Sequence, residues 1–303
     1  MTTHSAEVQT GERFEFGANW ANFLKTLDDE RILRAEASLS EMLGLSSLTG
    51  KMFLDVGSGS GLFSLAARRL GARVFSFDFD PQSVACTREL RRRYFPDNSD
   101  WTVEEGSALD RAYLDRLGGF DIVYSWGVLH HTGSMWAALN NIAPLVNIGG
   151  RLFIAIYNDQ GNASLRWKSL KRLYNRNRVL RHPLAMYTAI RQWMLTVIRD
   201  SVRGSPLRSW RRYKEQRGMS AWHDVVDWIG GYPFEVAKPE EIFDFFAGKG
   251  FVLLRLKTCA GGLGCNEFVF LRSDALTDAS FPLPQTGGSG VVPNEGAATI
   301  TGF

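Results

Sequence analysis

Residues 53–61 have the sequence Phe53-Leu54-Asp55-Val56-Gly57-Ser58-Gly59-Ser60-Gly61, in which an apolar stretch meets three alternating glycines and then a helical pattern. Glycine adopts backbone conformations with positive φ, and its missing Cβ lets a bound molecule approach the backbone closely. A strand that is followed by a glycine-rich turn and a helix is typical of proteins that hold a nucleotide-containing cofactor at this turn. The segment therefore predicts an α/β fold with a ligand at the end of its first strand.

The residues around the glycines narrow the choice of ligand. No Gly-Lys-Ser/Thr follows them, which excludes a P-loop for ATP. Asp55 precedes the first glycine and would repel a pyrophosphate, whereas it would attract an ammonium or sulfonium group. A second predicted strand ends in Asp78, 17 residues beyond Gly61, where a carboxylate accepts hydrogen bonds from ribose hydroxyls. The spacing therefore favours a cofactor that contains adenosine.

Apolar segments continue to alternate with helical patterns along the chain. We predict strands over 52–56, 73–77, 101–105, 120–126, 151–157, 252–257 and 268–271, and helices over 11–45, 62–70, 81–94, 135–146 and 239–246. Alternation of this kind is typical of a parallel sheet with helices on both faces. A short glycine-rich loop joins the last two strands, which predicts that they are antiparallel.

The D-x-G-x-G-x-G loop followed by Asp78 resembles the class I S-adenosylmethionine-dependent methyltransferases, over residues 50–158 and 238–273. The resemblance implies a Rossmann-like, doubly wound, mostly parallel sheet of seven strands with an antiparallel last strand pair. It also implies S-adenosylmethionine as cofactor and S-adenosylhomocysteine as product. Within the family, the chain is most similar to the ubiquinone-pathway O-methyltransferase group, whose members methylate phenols that carry polyprenyl tails.

Five segments follow from these patterns. They are an N-terminal helical cap (1–50), the cofactor-binding core (51–158), a helical insert after the fifth strand that would cover the substrate (159–237), the end of the core (238–273) and a flexible tail (274–303). The stretch 159–236 has 15 Lys and Arg against 6 Asp and Glu, a net charge of +9, whereas the rest of the chain carries −6. An apolar helix over 184–198 lies within it. We favour packing of this helix on the core with its arginines solvated, over contact with a lipid-like anion or a membrane surface.

Composition adds few constraints. With 45% apolar residues in 303, the chain can bury one sizeable core. Its three cysteines are too few and too unevenly spaced for a disulfide framework, which favours a reducing compartment. No basic-then-apolar leader opens the sequence, and no uncharged stretch reaches the ~18 residues of a membrane span. We therefore expect a cytoplasmic protein.

The resemblance assigns the cofactor residues. The loop Asp55, Gly57, Ser58, Gly59 and Gly61 would surround the methionine part of the cofactor. Asp78 would hold the ribose and Phe79 would pack on the adenine edge. Ser107 and Ala108 would contact the adenine, although Ser107 departs from the aspartate that family members often have there. Trp126 begins the segment that would run past the methionine carboxylate.

Two adjacent histidines follow the fourth strand. A histidine titrates near neutral pH and can remove a proton from a hydroxyl or amine as the methyl group arrives. His131 is our first choice as base and His130 the second; a buried histidine that braces the cofactor loop is an equally open reading of each. Tyr157, Asn158 and His223 are the expected substrate contacts, with a cap on the insert's first helix as the alternative for Asn158. We expect no metal, because His223, Asp224 and Asp227 lack a fourth ligand at recognisable spacing.

The leading function is methylation of a small-molecule acceptor, above all a hydroxyl of a phenolic, prenylated or glycosyl metabolite. The substrate would be lipid-like or anionic, with peripheral membrane contact and a homodimer as further expectations for the basic insert. One alternative is methylation of RNA, since the basic insert also carries several aromatic residues. Nucleic acid is less favoured because an Asn-Pro-Pro-Tyr-like amine clamp is missing. The other alternative is a non-catalytic protein that binds S-adenosylmethionine.

Overall fold

The computed structural model describes residues 3–96, 99–205, 208–210 and 221–274 of the chain. The strands are β1 (Met52–Val56), β2 (Arg73–Asp78), β3 (Trp101–Glu105), β4 (Phe120–Trp126), β5 (Val146–Tyr157), β6 (Phe251–Lys257) and β7 (Cys265–Arg272). The helices are α1 (His4–Gln9), α2 (Gly17–Leu24), α3 (Asp29–Leu43), α4 (Leu62–Arg69), α5 (Pro81–Tyr94), α6 (Arg111–Leu114), α7 (Met135–Ile142), α8 (Asn162–Arg176), α9 (Arg181–Val202), α10 (Ala221–Gly230) and α11 (Pro239–Ala247). The predicted tail lies outside the described residues, apart from Asp274.

The strands form one sheet in the order β3-β2-β1-β4-β5-β7-β6. Strands β1 to β5 are parallel, and β7 runs antiparallel between β5 and β6. The predicted fold class, with its antiparallel last strand pair and its helical insert after the fifth strand, is confirmed. The strand order runs outward from β1 to β3 on one side and from β4 to β5 on the other, so the carboxyl ends of the adjacent strands β1 and β4 flank the crevice in which such sheets bind ligands.

Several predicted boundaries differ from the structure, and two of these differences have a clear local cause. The helix predicted over 135–146 ends at Ile142, and a single 3₁₀ turn, Ala143–Leu145, follows it. Pro144 lies in this turn, where it has no N–H to continue an α-helix. Strand β5 begins at Val146 rather than at 151, because the Asn-Ile-Gly-Gly stretch bulges against β4 and stays within the strand.

Both faces of the sheet are covered by apolar layers. Successive residues of β1 point to opposite faces, so that Phe53 packs towards α3, α4 and α5, whereas Leu54 packs towards α7 and α11. Both side chains are fully buried. This double burial explains why β1 has a continuous apolar run before its glycine loop.

The described helices of the insert, α8, α9 and α10, share a third apolar cluster around Trp167, Tyr174 and Ile229. The segment before α2 contacts the same region, since the Phe14 N–H donates a hydrogen bond of 2.9 Å to the Tyr232 carbonyl. The insert and the N-terminal helices therefore meet above the carboxyl edge of the sheet.

Helix α9 departs from the favoured interpretation of the sequence. Most of its large apolar side chains are exposed, with 58% exposure for Ile190 and 75% for Leu195, and its buried positions are Ala185, Thr188 and Asp200. The expectation that the apolar side chains of this helix pack on the core is wrong, because small residues form its inner side. None of the described helices combines the length and the apolar character that crossing a membrane requires.

The core predicts a clear contrast between two leucines on helices. Leu139 of α7 is fully buried, whereas Leu33 of α3 is 54% exposed. We expect Leu139→Ala to lower the free energy of unfolding by about 2–5 kcal/mol, because it leaves a cavity in the core. Leu33→Ala is the control and is expected to stay within about 0.5 kcal/mol of the wild type. Urea unfolding followed by circular dichroism measures both, and equal losses would contradict the described packing.

Candidate active site

A cavity of about 750 Å³ opens at the carboxyl edge of the sheet. Its walls come from the loop after β1, the ends of β2 and β4, the segment after β3, the N-terminal segment and the insert. Carboxyl ends of parallel strands share one edge, so the sheet topology alone brings distant stretches of sequence together here.

The glycine loop has a backbone that only glycine adopts without strain. Gly57, Gly59 and Gly61 have φ of 79°, 53° and 81°. A Cβ on Gly57 would lie 2.3 Å from Val128 Cγ1, and one on Gly61 would lie 2.8 Å from Thr87 Cα. The turn therefore needs both positive φ and the missing side chains, and it leaves its backbone open to the cavity.

Asp78 is fixed at the end of β2 by two backbone donors. Its Oδ2 accepts a hydrogen bond of 2.9 Å from the Gly59 N–H, and its Oδ1 accepts one of 2.9 Å from the Asp80 N–H. Burial raises the pKa of this carboxyl to about 6, although the two hydrogen bonds oppose the shift. Phe79 follows it along the cavity wall, with the Arg13 guanidinium 5.0 Å from its ring centre.

Asp55 lies deeper in the same wall. Its carboxyl is 2% exposed and accepts a hydrogen bond from the Ser64 hydroxyl. Desolvation raises its pKa to about 7, so the group is near the midpoint of its titration at neutral pH. The sequence predicts that Asp55 attracts a cation. Because a bound positive charge would lower the pKa of Asp55, the cation itself would favour the ionised carboxylate that attracts it.

The other predicted cofactor contacts also line the cavity. They are Ser58, Ser107, Ala108 and the 45% exposed Trp126. The Ser107 hydroxyl accepts a hydrogen bond of 3.2 Å from the Leu109 N–H, which shapes the turn after β3. The structure thus gathers the predicted cofactor residues around one cavity, except Gly61, which packs against Thr87 instead. Their contacts with a cofactor remain predictions.

The two histidines occupy different environments within the 3₁₀ turn Leu129–His131. His131 lines the cavity, and its Nδ1 lies 2.6 Å from the Pro233 carbonyl oxygen. A carbonyl only accepts, so Nδ1 carries the proton and Nε2 keeps the free lone pair. Desolvation lowers the pKa of His131 to about 3, which keeps the ring neutral at physiological pH.

His130 is placed behind His131 rather than among the residues that line the cavity. It is fully buried, its Nδ1 accepts a hydrogen bond of 3.3 Å from the Tyr157 N–H, and its ring centre is 3.9 Å from that of Tyr157. His130 therefore contacts the end of β5, whereas His131 lines the cavity, so the two candidate bases lie in different surroundings.

The three predicted substrate contacts also separate. Tyr157 lines the cavity. Asn158 instead ties the loops together, since its Oδ1 accepts a hydrogen bond of 3.0 Å from Asn266 and its backbone bridges to Ala237. His223 belongs to α10, but its side chain lies outside the described part of the structure.

Several cavity residues are not among the predicted cofactor or substrate contacts. Asp224 and Asp227, which the sequence raised only as metal ligands, and Trp228 come from α10, Gln192 comes from α9, and Trp20 comes from α2. Trp20 lies in the predicted helical segment 11–45, but no local signal in the sequence shows which distant loop such a side chain faces. Trp20 lies over the glycine loop, where a Cβ on Gly59 would be 3.2 Å from its indole nitrogen.

Two ionisable groups, Lys171 and Asp227, lie beside the cavity. The ammonium of Lys171 is fully buried, donates a hydrogen bond to the Trp228 carbonyl and lies 4.2 Å from the Trp228 ring centre. Burial lowers its pKa to about 7, while burial raises the pKa of Asp227 to about 7. Asp227 also accepts a hydrogen bond from the Asn19 side chain, which links the insert to α2 across the cavity.

Comparisons with known proteins agree with this geometry. Residues 54–152, about a third of the chain, match the methyltransferase domain family. A ubiquinone biosynthesis O-methyltransferase of Xanthomonas campestris pv. campestris (strain B100) is 34% identical over 114 residues, which cover 37% of this chain and 45% of that protein. The corresponding protein of Xanthomonas euvesicatoria pv. vesicatoria (strain 85-10) is 34% identical over 113 residues, with the same coverage.

A solved structure shows the same fold. PKMT2 from Rickettsia typhi, in complex with AdoHcy, superposes with a TM-score of 0.51 at 13% identity, covering 78% of this chain and 52% of that one. The match over residues 54–152 and the shared fold agree with each other, and they confirm the resemblance to class I methyltransferases seen in the glycine loop. The chain spans less than half the length of the curated relatives it matches.

The neutral, buried His131 predicts a pH dependence of stability. Below about pH 6.5 the unfolded chain takes up a proton on this histidine, whereas the folded chain does so only near pH 3, so stability falls as pH drops through this window. At pH 5 we expect this histidine to account for a loss of about 2 kcal/mol relative to pH 7.5, and His131→Asn removes that loss while keeping an N–H donor.

The exposed His182→Asn is the control and is expected to keep the wild-type slope. Chemical denaturation at several pH values measures the three proteins. Equal slopes for the wild type and His131→Asn would show that the ring is protonated in the folded state near pH 5.

Proposed function

We propose that the chain is an S-adenosylmethionine-dependent methyltransferase that methylates a hydroxyl group of a small molecule. The observation that carries this proposal is the single cavity of about 750 Å³, which joins the glycine loop and Asp78 to a second wall of aromatic and polar side chains from the insert. The curated relatives, named ubiquinone biosynthesis O-methyltransferase, support oxygen as the methylated atom.

The residues present fit this cofactor. The open backbone from Gly57 to Gly61 suits the methionine part, and the fixed carboxylate of Asp78 suits two ribose hydroxyls. Phe79, Ser107 and Ala108 would border the adenine. When bound, the cofactor supplies a methyl group activated on a positively charged sulfur, and Asp55 and Asp78 provide a negative environment for it.

His131 is proposed as the base. Its Nδ1–H is held by the Pro233 carbonyl, so the unprotonated Nε2 is available to accept the acceptor's proton. A base with such a low pKa accepts the proton only while the acceptor oxygen forms its bond to the methyl group, because that bond makes the hydroxyl proton more acidic. This requirement favours a hydroxyl that is already acidic, such as a phenol. The rings of Tyr157 and Trp228 offer an apolar wall to an aromatic acceptor.

The remaining work of the site is positioning. The hydrogen bond between Asn19 and Asp227 connects α2 to the insert, and Lys171 joins α8 to α10 within the insert. These connections would limit the entry of water. Alignment of an oxygen with the methyl group and exclusion of water are effects that the protein itself can supply.

The test is transfer of radiolabelled methyl groups from S-adenosylmethionine to a cell extract, followed by separation into organic, small aqueous, nucleic-acid and protein fractions. Label in the organic or small aqueous fraction supports the proposal. Label confined to nucleic acid or protein would replace the small-molecule acceptor, and RNA methylation is the outcome to which a nucleic-acid fraction points. Absence of transfer with intact cofactor binding would leave a non-catalytic binding protein.

The glycine loop allows a matched pair of variants. Gly57→Ala and Gly118→Ala both place alanine at a φ near 80°, but only the Cβ on Gly57 meets another residue, whereas the one on Gly118 has no atom within 4 Å. We expect Gly57→Ala to weaken binding of S-adenosylhomocysteine by about tenfold or more, because Val128 or the loop must move. Calorimetric titration measures the affinity, and similar affinities for the two variants would refute the assigned loop.

The base assignment predicts a separation of rate and affinity. We expect His131→Asn to lower kcat by about 10²–10⁴-fold, because it removes the proton acceptor, while the affinity for S-adenosylhomocysteine changes little. His182→Asn, at an exposed position on α9, is the control for loss of a histidine. A His131→Asn enzyme with normal kcat on the identified acceptor would exclude His131 as the base.

A further inference from the structure

Helix α9 carries an exposed apolar face. We define the α9 face as Met186, Ile190, Met194, Leu195, Ile198 and Val202, whose side chains are between 51% and 85% exposed. Steps of three and four residues place them on one side of the helix. Exposed apolar patches of this kind mark surfaces that bind another protein, a membrane or a ligand.

The other side of α9 packs on the insert and reaches the cavity at Gln192. Ala185 and Thr188 are buried against the rest of the insert, and Gln192 lines the cavity itself. One helix therefore has its inner side at the candidate active site and its outer side, the α9 face, in solvent. Residues 181–202 also lie beyond the segment that matches the methyltransferase family, so this face is a feature of the chain's own insert.

The net charge around the α9 face is positive. The stretch from Arg178 to Arg203 contains five arginines and a single acidic residue, Asp200. Asp200 accepts hydrogen bonds from the N–H and hydroxyl of Ser209, which lower the pKa of its carboxyl and keep it ionised, so it offsets one of the five arginines and leaves the stretch with a net positive charge. Arginines keep their charged ends in the polar layer while their stems follow an apolar surface.

We propose that the α9 face docks on an anionic lipid surface, with the helix lying in the plane of the interface. An apolar face bordered by arginines, on a helix that cannot span a bilayer, is the combination found in interfacial helices. Anionic headgroups complement the arginines, whereas a protein partner would need a matching acidic rim. Docking holds the cavity beside the bilayer, because Gln192 on the same helix lines it.

The test is flotation of the full-length protein with lipid vesicles, without cofactor or acceptor. Vesicles of phosphatidylcholine alone are compared with vesicles of phosphatidylcholine and phosphatidylglycerol. We expect at least about tenfold stronger binding to the anionic vesicles, because each arginine near the surface raises the affinity for them by about fivefold. We also expect weaker binding at high salt, because salt screens this attraction. Equal binding to both vesicle types, or none to either, overturns the proposal.

A matched pair of triple variants locates the contact. Ile190→Ser, Met194→Ser and Ile198→Ser together remove side chains of 58%, 51% and 52% exposure from the α9 face. Leu33→Ser, Ile148→Ser and Leu254→Ser are the control, at 54%, 52% and 47% exposure elsewhere on the chain. We expect at least about tenfold loss of vesicle binding for the first set and wild-type binding for the control.

Three results overturn the proposal. Vesicle binding by the α9 variant equal to the wild type would place the contact elsewhere. Sedimentation that shows a dimer, lost in the α9 variant, without vesicle binding would make a second copy of the chain the occupant. Equal losses of vesicle binding for both triple variants would show that binding depends on the total exposed apolar surface and not on the α9 face. Because the assay contains no methyl acceptor, its outcome is independent of the proposed activity, and circular dichroism verifies that each variant is folded.

Discussion

The hydrogen bond from the Gly59 N–H to the Asp78 carboxylate is the interaction around which the site is built. It joins the turn after β1 to the end of β2, and it requires the left-handed backbone that Gly57, Gly59 and Gly61 provide. The rest of the sheet delivers the other walls, because β4 and β5 run parallel to β1 and end at the same edge. A side chain at Gly57 would collide with Val128, so the loop after β4 also depends on this turn.

Burial dominates the electrostatics of this edge. It raises the pKa of Asp55 and Asp78 and lowers that of His131 and Lys171, so each group is driven towards its neutral form. A cationic ligand reverses part of this effect, because its charge stabilises the ionised carboxylates that desolvation disfavours. The ionisation of Asp55 and Asp78 therefore responds to a bound sulfonium, whereas His131 stays neutral and able to accept a proton. Both properties follow from the same enclosed cavity.

The predictability of the structure follows the range of the interactions involved. Strands 52–56, 101–105 and 120–126 and the helix 81–94 have their predicted bounds, since doubly buried apolar runs and a proline at a helix start are local signals. The cofactor loop was predictable for the same reason. By contrast, Asp227, Trp228 and Trp20 reach the cavity through contacts between distant segments, which periodicity does not encode. The different positions of His130 and His131 depend on a single 3₁₀ turn, and the exposure of α9 depends on which helices pack beside it.

Calorimetric titration of the wild-type chain with S-adenosylhomocysteine and, separately, with NAD tests the central claim most directly. A turn shaped by three left-handed glycines, with Asp55 before it and Asp78 opposite, predicts saturable binding of one S-adenosylhomocysteine per chain, because its ammonium group favours the ionised form of Asp55. It predicts no comparable binding of NAD, whose pyrophosphate offers the two carboxyls no positive charge. Tighter binding of NAD, or no binding of S-adenosylhomocysteine by the folded protein, would contradict the account.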